Sequence, residues 1–420
     1  MLFSSRPAVV ASSRSLAARL YGYAFLNDFI LLYPVYALLF ADVGLSTAEI
    51  SSLFVIWCVA ALVLEIPSGV WADTVSRRLL LIVAPLLTAI GYGLWTAAPS
   101  YPSFAIGFVL WGAQGALRSG ALESLVYEEL ERLGAASRYP QIMGRATAIG
   151  TAAVVMAMGL AAPVIAAGGF VAVGVASVLA CVAAAVVGHA LPEHRVHTAP
   201  PAAGQGFGGY LSTLRHGVSE VRGRRVVRFA VLSIPAVAAM WGALDEYVPL
   251  LAVETGAAKE VVPWLNLIVY VGVTVGGLSV GLVSGFSAPK LAVLLAGAGA
   301  ILAAGAVSGG WHGFVLLAVA FCGFQMTQVA AGARLQAAIT GRARSTVTSL
   351  AGFAEGVATI GAFTLYAAGS VLASHGVLFA CAGAGYGLVA LWLGWAGGGT
   401  PTELVKPDAL ARKAPSAPAP

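Results

Sequence analysis

Six positions in this chain place ionisable side chains inside long apolar stretches. They are Asp28 with Asn27 beside it, Glu65, Arg118, Glu123, the pair Asp245-Glu246, and Glu355. On insertion scales a charge at membrane depth costs about 2.5–3.5 kcal/mol, so such residues are functional candidates by default. Their chemistry is proton handling. A carboxylate removed from water prefers to be protonated, and a nearby guanidinium restores its charge. A group moved between dry and wet surroundings would therefore load and release a proton. Asp28, near the middle of its stretch and with Tyr21 seven residues earlier, is the first choice for that role. Glu123 and Glu355 follow, with Arg118 as the counter-charge. Arg118 and Glu123 are five residues apart, about 140° around a helix, so each must find its partner on another helix. The plainer alternative is a set of fixed ion pairs stitching helices together. Asn266 and Tyr270, four apart, and Gln325 and Gln328, three apart, are polar groups that could hydrogen-bond a ligand or glue neighbouring helices.

Other chemistry finds little support. The six histidines fall at helix ends or in loops, no HExxH pattern occurs, and His194 and His197 read as solvated linker. No GxxxxGK[ST] phosphate loop is present. Cys58, Cys181, Cys322 and Cys381 lie in apolar runs without a CxxC pair, so neither a disulfide nor a zinc site is expected. An enzyme, a metal centre and a bound cofactor are all disfavoured.

The elements that position these residues are membrane helices. Of 420 residues, 59% are hydrophobic and 10% charged, where a soluble domain carries about 25% charged residues. Mean hydropathy is +0.88. A crossing needs roughly 20 apolar residues, and cutting the chain at charges and turns predicts twelve spans. Spans 1 to 6 are residues 16–40, 48–71, 79–97, 103–130, 142–162 and 168–191. Spans 7 to 12 are 226–253, 261–283, 289–307, 313–339, 346–373 and 377–395. The 51 glycines suit closely packed helices.

Lys and Arg stay on the cytoplasmic side of membrane proteins. With the N-terminus inside, Arg77, Arg78, Arg132, Arg138, Arg145, Arg195, Lys290, Arg342, Arg344 and the Arg215–Arg228 cluster are all cytoplasmic, and Lys259 is the loop base left outside. Both termini are then cytoplasmic, and residues 1–15 read as a tail, not a signal peptide. The net charge of +5 is accordingly a topology signal, not a nucleic-acid footprint. On this orientation Asp245-Glu246 lie in the outer part of span 7, where a vestibule role is as open as coupling. Residues 192–225 form a linker containing Pro200-Pro201, in which Leu211, Leu214, Val218 and Val221 recur at helical spacing. It reads equally as an amphipathic helix on the inner leaflet or a solvated connector. Residues 399–420 read as a disordered tail.

The chain also repeats. Gly44 matches Gly256, Gly69 matches Gly281 and Gly120 matches Gly332, and the separations 44 to 256, 69 to 281 and 120 to 332 are all 212 residues. Two parallel six-helix halves, residues 1–191 and 226–398, follow. None of the buried charges is matched: Asp28 corresponds to Met240 and Asp245 to Tyr33.

Between spans 2 and 3 stands Gly69-Val-Trp-Ala-Asp73-Thr-Val-Ser76-Arg77-Arg78. It resembles the signature loop of the major facilitator superfamily, G-x-x-x-D-x-x-G-R-[RK], with Ser76 replacing the second glycine. Glu65-Ile-Pro67-Ser68, Ser119-Gly120-Ala121-Leu122-Glu123 with Tyr127, and Gly341-Arg342-Ala-Arg344-Ser-Thr346 are similar to its bacterial drug-exporter-like branch. The resemblance implies an all-α, twelve-helix secondary transporter of the cell membrane, a monomer moving a small molecule with protons by alternating access. It also implies that Gly69, Asp73, Arg77 and Arg78 latch the outward-facing state, Asp73 toward span 11 and Arg77 toward Glu128 or Glu129. The plainer reading is an ordinary turn with basic residues. The exporter motif of span 5, G-x8-G-x3-G-P-x2-G-G, is degenerate: Gly150 and Gly159 fit, but Pro163 comes one residue early. Export of a lipophilic or amphipathic compound is expected, with uptake of a small nutrient on the same fold as the alternative.

Overall fold

The computed structural model describes residues 5–194, 225–338 and 344–397. The regular elements among them are all helical. Span 1 is in two pieces, Ser5–Asp28 and Tyr36–Asp42; span 2 is Thr47–Thr74 and span 3 is Arg77–Ala97. Span 4 is again in two pieces, Tyr101–Arg118 and Ala121–Arg132. Spans 5 and 6 together form Tyr139–His189. In the second half, span 7 comprises Arg225–Asp245 and Val248–Glu254, and span 8 is Val262–Leu278 with the 3-10 turn Val280–Val283. Spans 9 to 12 are Ala288–Ser308, Gly310–Ala338, Arg344–Ser370 and His375–Gly397. The expected linker helix, the tail 399–420, and Arg342 before span 11 lie outside the described residues.

The 51 residues of Tyr139–His189 would measure about 76 Å if straight, more than twice a ~30 Å hydrocarbon core. Gly168 and Gly169 resolve this: Gly169, at φ 59, turns the chain in a conformation that glycine adopts without penalty. Eight helical segments, this double one included, are long and apolar enough to cross a bilayer. The remaining crossings are the broken spans 1 and 4 and the short span 8; the longer piece of span 7 is among the eight.

Those breaks correct the sequence expectation, which drew 16–40, 103–130 and 226–253 as continuous. Each has a local cause. Pro34 lacks an N–H and pushes Tyr33 away from helical geometry. Gly120 takes φ 69 between the halves of span 4. Pro249 starts a new helix after Asp245. Each break also ends a helix on a charged residue, Asp28, Arg118 or Asp245. Hydropathy alone does not register such interruptions, because the bridging residues are few and a window of some twenty residues averages over them.

Small residues set the packing within each half. A Cβ on Gly112 of span 4 would lie 2.9 Å from the Ala61 nitrogen of span 2. One on Gly299 of span 9 would lie 2.9 Å from Tyr386 Cβ of span 12. Backbones approach this closely only where side chains are absent. Apolar residues also cover the outside, Leu278 at 83% and Trp395 at 82% exposure among them. In water such a surface would aggregate; against lipid it is the solvated face.

The repeat is partly visible in backbone geometry. Gly44 and Gly256 take nearly the same left-handed conformation, φ 98 and φ 89. The other two glycine pairs diverge. Gly120 breaks span 4 while Gly332 lies within the unbroken Gly310–Ala338, and Gly69 is helical where Gly281 sits in the 3-10 turn.

Candidate functional site

The ends of the bundle are distinguished here as distal, bearing Asp42 and Lys259, and proximal, bearing the Arg77 turn. Between them, a cavity of about 320 Å³ opens within the first half. Span 1 contributes Asn27, Asp28 and Tyr33; span 3, Thr88 and Tyr92; span 4, Trp111, Gln114 and Arg118. Tyr270 of span 8 is the contribution from the second half.

The polar wall is a relay. Gln114 Nε2 donates to Asn27 Oδ1 at 3.2 Å, and Asn27 Nδ2 donates to Asp28 Oδ1 at 2.8 Å. Arg118 Nη1 stands 4.0 Å from the same oxygen, within Coulombic reach but beyond a hydrogen bond. Gln114 and Arg118 share a face of span 4 because they are four residues apart. Arg118, last in its helix, also sits at the negative end of the helix dipole, which favours a cation. Asp28 occupies the same end of its own helix and gains nothing from it, so Asn27 and Arg118 supply what the helix does not. The other carboxylate oxygen, Oδ2, lies against Gly150 of span 5, where an added Cβ would force the carboxylate to move. Gly150→Ala is therefore expected to displace the Asp28 carboxylate and lower the protein's activity at least about tenfold while preserving expression, since a distortion of 1 Å near interacting groups costs that much or more. Unaltered activity in that variant would show the contact to be incidental.

The structure does not gather all the expected residues here. Glu65 and Glu123 are exposed and Glu355 is half-buried, and none lines this cavity. Tyr21 packs against the proximal apolar cluster around Leu20 and Leu125. Gln325 and Gln328 lie on span 10; a Cβ on Gly277 of span 8 would meet Gln325 at 3.8 Å, and the buried Gln328 Oε1 has no partner.

Asn266 instead joins a second group at the contact between the halves, a small recess lined by Tyr33, Tyr36, Asp245 and Glu246. Tyr33 Oη donates to Asp245 Oδ2 at 3.4 Å, and Tyr36 Oη donates to Glu246 Oε2. Glu246 is buried and Asp245 half-buried at this contact between the halves. Alongside, Tyr247 Oη of span 7 donates to Ser51 Oγ of span 2 at 2.6 Å, and Phe54 packs on Phe363 at 5.1 Å. Lys259 pairs with Asp42 above them. Between described residues, the hydrogen bonds and ion pairs that join the halves all lie at this distal end.

At the proximal end, Arg77 Nη1 meets Glu128 Oε1 at 2.6 Å. Glu129 turns elsewhere: it accepts from Arg132 Nη2 at 3.0 Å and from the His194 backbone N–H at 2.7 Å. The residue that sequence reasoning missed is Glu193. It accepts from Ser76 Oγ at 2.5 Å, from the Arg77 N–H at 2.8 Å and from the Arg78 N–H at 3.4 Å, capping the positive N-terminus of span 3. The chain leaving span 6 is thus tied to the signature turn. The contacts expected of Gly69 and Asp73, and those of Arg344, lie outside the described residues.

Comparison with known proteins agrees with this architecture. The family model described as Major Facilitator Superfamily matches residues 20–363. None of the curated proteins matches. Solved structures of similar fold include the nucleoside transporter NupG (TM-score 0.71, 14% identity, 91% of this chain and 98% of that one). An auto-inhibited POT family peptide transporter gives TM-score 0.68 at 14% identity, over 92% of this chain and 97% of that one. A D-xylose-proton symporter gives 0.64 at 16% identity, over 91% and 97%. Identities this low establish the fold and no more. With twelve helical spans in two halves and a family match across most of its length, this multi-pass membrane protein belongs to the Major Facilitator Superfamily.

Proposed function

We propose that this transporter is a proton-coupled secondary carrier working by alternating access, with Asp28 as its proton site and the adjoining cavity as its substrate site. The observation behind this reading is the Asp28–Arg118 pair at 4.0 Å, a separation at which a proton or a ligand can take the place of either partner's charge. The halves touch through polar groups distally, and opening there would expose the cavity to the opposite side. The distal end is extracellular in this proposal and both termini are cytoplasmic, as the distribution of basic residues indicates. The protein works as a monomer in the cell membrane, its halves bounded at residues 191 and 226.

The direction we propose is export of a small amphipathic compound, supported by the exporter-like sequences around Glu65, Gly120 and Arg342. Uptake is the second reading, and a specific observation favours it: a D-xylose-proton symporter shares the fold over 91% of this chain. Inverted membrane vesicles with an imposed proton gradient separate the two. The cargo would first be selected by thermal stabilisation of the purified protein across a compound library. Accumulation driven by an acid interior supports export; accumulation that needs the opposite gradient assigns uptake. If no stabilising compound alters proton flux in either direction, proton coupling itself is refuted.

A further inference from the structure

We infer that the cavity beside Asp28 binds a small organic anion, a carboxylate carried on an aromatic or apolar body. This deepens the transport reading and rests on it for physiological meaning, though the binding can be measured without transport.

Three observations carry the inference. First, Arg118 brings a guanidinium with five fixed donors to the cavity wall, and among the described residues it makes no hydrogen bond. Its nearest carboxylate is 4.0 Å away and already accepts from Asn27. A guanidinium at membrane depth without hydrogen-bonded partners is costly, and a planar anion satisfies it best, through paired N–H···O bonds.

Second, Thr88 lines the same cavity at 5% exposure, and among the described residues its hydroxyl has no partner. Buried hydroxyls are nearly always paired, so this one is held for something that arrives. It can donate to a carboxylate oxygen.

Third, the remaining wall is apolar and rich in aromatic rings. Trp111 stands edge-on to Tyr92 at 5.7 Å and to Tyr33 at 6.4 Å, and Tyr270 closes the side toward the second half. Such walls accept a flat apolar body. The volume, about 320 Å³, is at the small end of ligand pockets, which run roughly 300–1,000 Å³.

A cationic ligand fits less well. Asp28 would have to receive it, and its Oδ1 already accepts from the Asn27 amide. A ligand amine would approach Arg118, a like charge, as a ligand carboxylate would approach Asp28, so the donors of Arg118 and Thr88 decide in favour of the anion.

The test is equilibrium dialysis of the purified full-length protein at neutral pH with radiolabelled benzoate, benzamide and benzylamine. These share a ring and differ in charge. Benzoate is expected to bind saturably, at least about tenfold tighter than either of the others, as one charge-assisted hydrogen bond supplies. Arg118→Gln should erase that preference, Arg118→Lys should keep part of it, and Thr88→Val should weaken benzoate more than benzamide. Equal or tighter binding of benzylamine, or absence of saturable benzoate binding, overturns the inference using the wild-type protein alone. So does an undiminished benzoate preference in Arg118→Gln. If the preference holds while proton flux fails, the anion site stands and the transport reading falls; the reverse pattern has the reverse meaning.

Discussion

Asp28→Asn is expected to abolish gradient-driven accumulation of cargo while leaving gradient-independent exchange across the membrane. Asparagine is nearly the same shape, still accepts from the Asn27 amide, and still fits beside Gly150. It cannot take up or release a proton. Arg118 then loses its counter-charge at 4.0 Å and keeps its position at the end of its helix. The carrier would still bind and rock, but each cycle would run without a proton, and cargo would only equilibrate. The measurement pairs proton-driven uptake with counterflow in proteoliposomes. Intact counterflow beside lost accumulation is the expected pair; unchanged proton dependence removes Asp28 as carrier. Charge-conserving Asp28→Glu should place its longer side chain against Gly150 and recover only part of the coupling.

The second large effect is expected at the distal contact. Tyr36→Phe removes the hydroxyl that donates to Glu246, a residue 9% exposed. Leaving a buried acceptor unpaired costs about 1–3 kcal/mol, and more when it is charged. That energy is lost only while the halves are closed, because water satisfies Glu246 once they part. The closed-to-open equilibrium should therefore shift roughly 5- to 150-fold toward distal opening. Spin labels at Val43→Cys and Ala258→Cys, on opposite halves beside the Asp42–Lys259 pair, would report it as a growing long-distance population. Glu246→Gln, which can still accept from Tyr36, should stay closed. A distance distribution unaffected by Tyr36→Phe would show that this contact does not hold the halves together.

Much of the scaffold is legible in the sequence, because twelve apolar stretches and their basic flanks are summed over some twenty residues each. The Gly168–Gly169 turn falls at the first residues read as span 6, just past the separating residues 163–167. Asp28 and Arg118 are legible as charges but not as neighbours, since nothing in either stretch records the rotation of span 1 against span 4. The helix breaks at Pro34, Gly120 and Pro249 are written in single residues within apolar runs, and a hydropathy window averages them away. Thr88, Trp111 and Gln114 look like ordinary span residues until spans 3 and 4 are packed. Glu193 is harder still. Its role depends on span 6 ending beside the start of span 3, a relation between chain segments 115 to 117 residues apart. Asp245 and Glu246 stand out in the sequence as charges in an apolar stretch, but which surface they face is set by the meeting of the two halves.

Tyr33 and Asp245 are counterparts in the repeat, 212 residues apart, and they touch each other at 3.4 Å. A position that contacts its own counterpart lies on the axis relating the halves, as the central residue of a two-fold interface faces itself. In a pair of identical halves, whatever stood there would meet its twin. Two aspartates would bring like charges together and suppress each other's ionisation. Two tyrosines would leave no strong acceptor. A donor facing an acceptor at this point requires the halves to differ. The unequal charges of the two bundles are thus a geometric necessity wherever a duplicated chain closes upon its own axis.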